Sequence, residues 1–91
     1  MQNLLWETPE EIDKELALRV KRIRKRRGYT QVSLAKRSNV SYGALKKFEQ
    51  TGEISLRSLT KIALELNIVD EIRDLFSSTP YQSIQEVLHD R

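Results

Sequence analysis

Two short helical segments joined by a very tight turn constrain the fold of this chain more than any other feature. They occupy residues 30–52, TQVSLAKRSNVSYGALKKFEQTG, and the letters SNV separate them just before a new helix cap, Ser41. Isolated helices shorter than roughly 12–15 residues are only marginally stable in water. The second segment also contains Gly43, which costs about 1 kcal/mol relative to alanine inside a helix. These helices therefore need tertiary contacts, and the presence of a glycine inside the second one requires an explanation.

The remaining sequence predicts three more helices and hence an all-α domain of five helices over residues 1–76. A capping box at residues 8–11 begins helix one, which ends near Gly28. Ser or Thr caps precede the next three helices, and a short helix five covers about residues 70–76. Residues 77–91 are predicted to be a linker and a short amphipathic C-terminal segment. The predicted core contains Ile12, Leu16, Val20, Ile23, Leu34, Ala35, Leu45, Phe48, Leu56, Leu59, Ile62, Ala63 and Leu66.

Two short helices joined by a tight turn, at about residues 30–50, are typical of a helix-turn-helix, whose second helix enters the major groove of DNA. Ala35 is small where the two helices would touch, and Asn39 tolerates the left-handed backbone of a sharp turn. Val40 and Leu45 are expected to bury the turn against the first helix. Gly43 then has a function, because a missing side chain lets the helix backbone approach DNA closely.

Basic residues are concentrated in the middle of the chain. The net charge is +3, but residues 19–52 contain eleven Lys or Arg and one acid, Glu49. The flanking residues 1–18 and 53–91 are both net acidic. Segregation on this scale predicts a polyanionic partner for one surface. The alternative is a solvated basic face, but such faces usually mix charges of both signs.

Composition argues against several other classes of protein. The chain has no cysteine, one histidine (His89) and no phosphate-binding glycine loop, so neither catalysis nor a metal or cofactor is expected. No apolar run reaches the roughly 20 residues of a membrane span, and the N-terminus does not resemble a secretory signal. The expected location is the cytoplasm, on DNA. The run RVKRIRKRRG would also suit a nuclear-localisation or anionic-membrane patch, and Tyr29 and Tyr42 give RNA binding thin support.

A family resemblance rests on the sequence RGYTQVSLAKRSNVSYGALKKFEQTG followed by SLTKIALEL. It resembles the XRE-type (lambda-repressor/Cro-like) helix-turn-helix family, whose pattern is roughly TQ-x-x-LA-x-x-x-G-V-S-x-x-x-L-x-x-x-E-x-G. Two departures occur: Asn39 stands where the pattern has glycine, and EQTG is one residue longer than E-x-G. The resemblance covers about residues 17–68 and implies a five-helix lambda-repressor-like domain, with a short C-terminal extension, in a transcriptional regulator, most often a repressor.

The resemblance and the basic residues together imply which side chains contact double-stranded DNA. Base contacts are expected from Tyr42, Gly43, Lys46 and Lys47. Phosphate contacts are expected from Arg24, Arg27, Gln31, Lys36 and Ser41. Arg24 is further expected to pair with Glu49. On the residues alone, Lys46 could contact a phosphate instead of a base, and Tyr42 could simply lie on the protein surface.

Apolar residues near both ends predict a dimer or partner surface. One such module buries only about 600–1,000 Å² on DNA, so these regulators bind as twofold dimers to half-sites one helical turn apart. The candidate residues are Trp6, Phe76, Tyr81, Ile84, Val87 and Leu88. Alternatively, these residues cover the underside of the core.

A second resemblance concerns the biological role. The small size, the lead LLWETPEEI and the short C-terminal extension are similar to the antitoxin partners of HipA-type kinase toxins. This resemblance implies a repressor of its own promoter that also holds such a toxin in a complex. The competing interpretation is a protein-interaction adaptor with only generic nucleic-acid binding.

Overall fold

The computed structural model describes residues 7–78, and these residues form five α-helices. The helices are α1 (Pro9–Arg26), α2 (Gln31–Ser38), α3 (Tyr42–Thr51), α4 (Leu56–Glu65) and α5 (Val69–Arg73). No strand occurs within residues 7–78. The predicted all-α, five-helix architecture is therefore confirmed.

The first four helices each begin at the predicted cap. At α1 the hydroxyl of Thr8 accepts a hydrogen bond from the N–H of Glu11, whose carboxylate accepts one from the N–H of Thr8. The hydroxyl groups of Thr30, Ser41 and Ser55 accept equivalent bonds at the starts of α2, α3 and α4. Such caps each contribute about 0.5–2 kcal/mol, which matters for α2 and α3 because both are short.

The turn between α2 and α3 has the geometry that its sequence predicts. Asn39 adopts a left-handed conformation with φ of 60° and ends α2. The next N–H, that of Val40, donates to the carbonyl of Ala35 at 3.0 Å. Val40 itself is buried, so the turn is closed by a backbone bond and by an apolar side chain. This combination fixes the angle between α2 and α3.

The core lies where four helices meet. Helix α3 packs against α1 and α2, while α4 packs against α2 and α5. The helix-turn-helix is therefore supported from both sides, by α1 and by α4. The buried apolar cluster consists of Ala17, Val20, Leu34, Ala35, Val40, Leu45, Phe48, Ile62 and Leu66.

Three predicted core residues are in fact exposed: Ile12, Leu16 and Leu56. In α1 the buried line runs through Ala17, Val20 and Arg24. These residues are three and four positions apart and share one side of the helix. The line is rotated from the predicted apolar stripe because Arg24 occupies an inward position. Helix α5 is also shorter than predicted, since it ends at Arg73.

A polar cluster joins the α1–α2 connection to α4. The Tyr29 hydroxyl donates to a carboxylate oxygen of Glu65 at 2.5 Å, and Arg37 Nε donates to the same oxygen at 3.0 Å. The hydrogen bond from Tyr29, followed by the one from Arg37, lowers the pKa of the Glu65 carboxyl. The same bond to the carboxylate raises the pKa of the Tyr29 hydroxyl.

We expect the stability contributed by this cluster to be confined to a middle pH range. The folded pKa of Glu65 lies below its ordinary value of 4.5, so its contribution is present above that pH and is lost as pH falls through the folded value. The folded pKa of Tyr29 lies above its ordinary value of 10.0, so its contribution is present below pH 10.0 and is lost as pH rises through the folded value. Urea unfolding should show that Glu65→Gln loses less stability than wild type on acidification. An identical loss in both proteins would contradict this assignment.

Candidate nucleic-acid interface

One face of α3 is exposed and basic. Residues 42 and 46 are four positions apart, as are residues 43 and 47, and residues 43 and 46 are three apart, so the four residues form one surface of the helix. The opposite side carries Leu45 and Phe48, both of which are buried. The predicted base-contact residues are thus brought together on the outward surface of α3, and they are Tyr42, Gly43, Lys46 and Lys47.

The two lysines of this face have different partners. The Nζ atom of Lys46 lies 5.8 Å from the centre of the Tyr42 ring, which is a cation–π contact. The Nζ atom of Lys47 lies 3.0 Å from a carboxylate oxygen of Glu53. Exposed contacts of either kind are worth only about 1 kcal/mol or less. Both ammonium groups therefore remain accessible to a polyanion.

Gly43 lies in the middle of the same face, and the fold gives no reason for a glycine there. A Cβ atom built at this position would meet no heavy atom within 4 Å beyond its neighbours and the backbone of its own helix. Internal packing would therefore accept a larger residue. The glycine leaves a strip of bare backbone between Tyr42 and the two lysines.

A buried ion pair holds α3 against α1 and α2. Arg24 Nε donates to Glu49 Oε2 at 2.6 Å, and its Nη2 donates to Oε1 at 3.1 Å. The third nitrogen of Arg24 donates to the carbonyl of Tyr29 at 2.9 Å. Gln31 Nε2 also donates to Glu49 Oε1, at 2.8 Å. The expected pairing of Arg24 with Glu49 is therefore observed, and it fixes the orientation of the exposed α3 face.

The predicted phosphate-contact residues divide into two groups. Arg27, Lys36 and Ser41 are exposed around the helix-turn-helix. Arg24 is buried and Gln31 is half-buried, and both side chains donate to Glu49. These two residues therefore have a structural role, whereas a contact of any of the five with phosphate stays a prediction.

The predicted dimer and partner residues lie mostly outside the described part of the chain. These are Trp6, Tyr81, Ile84, Val87 and Leu88. Phe76 is described, and the residue is 85% exposed. An apolar groove of about 240 Å³ opens between α1, α4 and α5. Its lining includes Leu16, Val20, Ile23, Leu59, Ile72 and Leu75.

Two features of the site did not emerge from the sequence pattern. Glu53 pairs with Lys47, and Gln31 bonds to Glu49 instead of pointing only outward. The first contact spans the end of α3, and the second joins the start of α2 to the last turn of α3. Opposite charges at positions 47 and 53 were visible, but their proximity depends on the path of the loop after α3.

No helix in residues 7–78 is long and apolar enough to cross a membrane. The same part of the chain contains no group of three or more His, Cys, Asp or Glu side chains placed to hold a metal ion.

Comparison with known proteins identifies the family. The family model described as helix-turn-helix, of the XRE type, matches residues 20–71, which is more than half of the chain. The match runs from α1 to α5 and includes all of α2 and α3. No curated protein matches the chain significantly. The helical architecture fits the lambda-repressor-like fold, and the chain belongs to the XRE family of helix-turn-helix DNA-binding transcriptional regulators.

Proposed function

We propose that the protein recognises a specific sequence of double-stranded DNA by placing α3 in the major groove. The observation that carries this proposal is the exposed α3 face, on which Lys46 and Lys47 lie beside the bare backbone of Gly43. The major groove of B-DNA is wide enough for an α-helix, and its base edges have a distinct pattern of donors and acceptors. A helix that is held rigidly at its base by a buried ion pair suits this task.

Lys46 and Lys47 are the proposed base readers, because lysine donates to guanine O6 and N7. We expect Lys46→Ala or Lys47→Ala to reduce discrimination at one base position by about 1–3 kcal/mol. The measurement compares the affinity for a preferred duplex with that for single-base variants. Lys14→Ala is the matched control, since it removes an exposed charge from the acidic half of α1. Unchanged discrimination in both α3 variants would refute this docking arrangement.

Arg27, Lys36 and Ser41 are the proposed phosphate contacts at the groove edge. All three are exposed and can donate hydrogen bonds to an anion. Arg24 and Gln31 would add phosphate contacts only through the parts of their side chains that Glu49 leaves accessible. Each lost phosphate contact should make the salt dependence of binding shallower by about 0.9 in the logarithmic slope.

Gly43→Ala separates the needs of the fold from the needs of DNA binding. Alanine is favoured over glycine in a helix, and its methyl group would meet no neighbour here. We therefore expect the free energy of unfolding to be about 0.5–1 kcal/mol higher than that of wild type. We expect its affinity for DNA to fall, because the added methyl group holds the α3 backbone away from the groove. Thermal unfolding and a binding titration of the same sample measure both effects. A more stable variant with unchanged affinity would contradict the proposed close approach of the α3 backbone to DNA.

We further propose that the protein binds a palindromic operator as a homodimer. Support comes from the exposed Phe76, from the apolar groove whose lining includes its chain neighbour Leu75, and from the small contact area that a single module offers to DNA. The predicted residues beyond the described part, Trp6, Tyr81, Ile84, Val87 and Leu88, would extend this surface. Sedimentation of the full chain should give twice the monomer mass, and Phe76→Glu should shift it toward the monomer. A wild-type protein that stays monomeric on DNA would contradict the dimer.

The proposed biological role is a cytoplasmic repressor that acts on its own promoter as the antitoxin of a HipA-type kinase. The acidic, exposed start of α1, with Glu10 and Glu11, offers a partner a surface of opposite charge to the basic α3 face. The test is co-expression with such a kinase, in which a stable complex and relief of growth arrest are expected. The alternative function, an adaptor with generic nucleic-acid binding, predicts a protein complex but no preferred DNA sequence.

A further inference from the structure

We propose that Glu53 is a positioning residue that makes Lys47 distinguish a base edge from a backbone phosphate. This inference rests on the proposed function, because it assigns Lys47 to the DNA surface. It concerns the end of α3 and the loop that follows, where EQTG is one residue longer than the E-x-G of the family pattern.

The backbone places Glu53 beside Lys47. The Thr51 hydroxyl donates to the carbonyl of Lys47 at 2.8 Å and accepts from the N–H of Glu53 at 3.1 Å. Gly52, between them, is buried directly against the backbone of Asp13 in α1. The path of the loop is therefore fixed at two points. The ion pair between Lys47 and Glu53 follows from this path, although both side chains are exposed.

Glu53 differs from the other acid near α3. The side chain of Glu49 is 2% exposed, and Arg24 and Gln31 both donate to its carboxylate. The side chain of Glu53 is 65% exposed and presents its charge on the outer surface, next to the proposed base reader. A negative charge on a surface that must approach DNA opposes binding to every phosphate nearby.

The chemistry of the lysine explains how such a charge can help recognition. An ammonium group has three N–H donors, and the ion pair with Glu53 places one carboxylate oxygen 3.0 Å from Nζ. The ammonium group can still donate to guanine O6 and N7, which are neutral acceptors that the carboxylate does not strongly repel. A phosphate is an anion, and it must compete with Glu53 for the same ammonium group. Glu53 therefore weakens sequence-independent binding more than it weakens base readout.

The experiment measures the affinity of the full-length chain for a selected duplex and for a random duplex over a range of salt. Glu53→Gln removes the charge and keeps the size of the side chain. We expect its affinity for the random duplex to rise roughly two- to fivefold at low salt, with a salt slope steeper by about 0.9. The affinity for the selected duplex should rise less, so that the ratio of the two affinities falls.

Matched variants separate this effect from a general change of charge. Glu15→Gln removes an exposed carboxylate from α1 and should leave the ratio of affinities unchanged. The effect of Glu53→Gln should vanish in a Lys47→Ala background and persist in a Lys46→Ala background, because Lys46 contacts Tyr42 instead. Equal effects of Glu53→Gln and Glu15→Gln on both duplexes would overturn the inference.

The two proposals can fail separately. If the wild-type protein has no preferred sequence, the proposed function fails. The salt slopes of Glu53→Gln and Glu15→Gln on random DNA then still decide whether Glu53 competes with phosphate for Lys47. If a preferred sequence exists and Glu53→Gln leaves the affinity ratio unchanged, only the role of Glu53 is wrong.

Discussion

Arg24→Ala is expected to lower the free energy of unfolding by roughly 3–5 kcal/mol, the usual cost of removing one partner of a buried ion pair. The Arg24 side chain is 7% exposed, and three of its nitrogens donate hydrogen bonds. Its loss would leave the Glu49 carboxylate buried with only Gln31 as a donor. For a domain of this size, such a loss lowers the melting temperature by more than ~10 °C. Urea and thermal unfolding measure the effect.

Arg73→Ala is the matched control for this prediction. Arg73 also pairs with a carboxylate, that of Asp70 at 2.9 Å, but the two side chains are 71% and 90% exposed. Exposed pairs contribute at most about 1 kcal/mol, so this variant should melt near wild type. If both arginine variants lost the same small amount of stability, the buried pair would not anchor α3.

Gly52→Ala is the second substitution expected to destabilise the fold strongly. Gly52 has φ of 84°, where a residue with a side chain costs about 1–2 kcal/mol. A Cβ atom there would also lie 2.6 Å from the carbonyl carbon of Asp13, inside the backbone of α1. Pushing α1 away from α3 adds about 1–3 kcal/mol, by analogy with overpacked cores. Denaturant unfolding should show the sum of both losses.

Gly28→Ala measures the conformational cost of a positive φ separately from the steric overlap with α1. Gly28 has φ of 82°, but a Cβ atom at that position would meet nothing within 4 Å. We expect this variant to lose only the conformational part, about 1–2 kcal/mol. Gly52→Ala should therefore be clearly less stable than Gly28→Ala. Equal losses would mean that α1 moves away from residue 52 at no cost.

The local structure of this protein could largely be predicted from its sequence because short-range chemistry determines it. Helix starts follow from Ser and Thr caps, and the turn at Asn39 follows from the tolerance of asparagine for a left-handed backbone. The inward side of α3 could also be predicted, since Leu45 and Phe48 are its large apolar residues after the turn. Each of these predictions needs only a few neighbouring residues.

The errors arise where a distant part of the chain decides the outcome. Helix α1 has apolar residues on a wide arc, and periodicity alone placed Ile12 and Leu16 inside. The partner on α3, Glu49, instead draws Arg24 inward and leaves Leu16 at the edge of an open groove. The pairing of Lys47 with Glu53 was missed for the same reason. It depends on how Gly52 packs against a helix almost forty residues earlier in the chain.

The buried pair also changes how DNA-binding data for this protein should be interpreted. Because Arg24 anchors the helix that is proposed to enter the groove, Arg24→Ala would weaken all DNA binding even without a lost phosphate contact. Lys46 and Lys47 are exposed, and neither is part of the core. Substitutions at these two positions therefore report on recognition, whereas a substitution at Arg24 reports first on folding.

Selection of bound duplexes from a random DNA pool, at low and at near-physiological salt, tests most directly whether the protein reads sequence. We predict recovery of an inverted repeat whose half-sites lie about one helical turn apart, and its survival at the higher salt. Binding that is blind to sequence and disappears at the higher salt would contradict this prediction. The basic α3 surface would then attract polyanions in general, and the protein would not be a sequence-specific regulator.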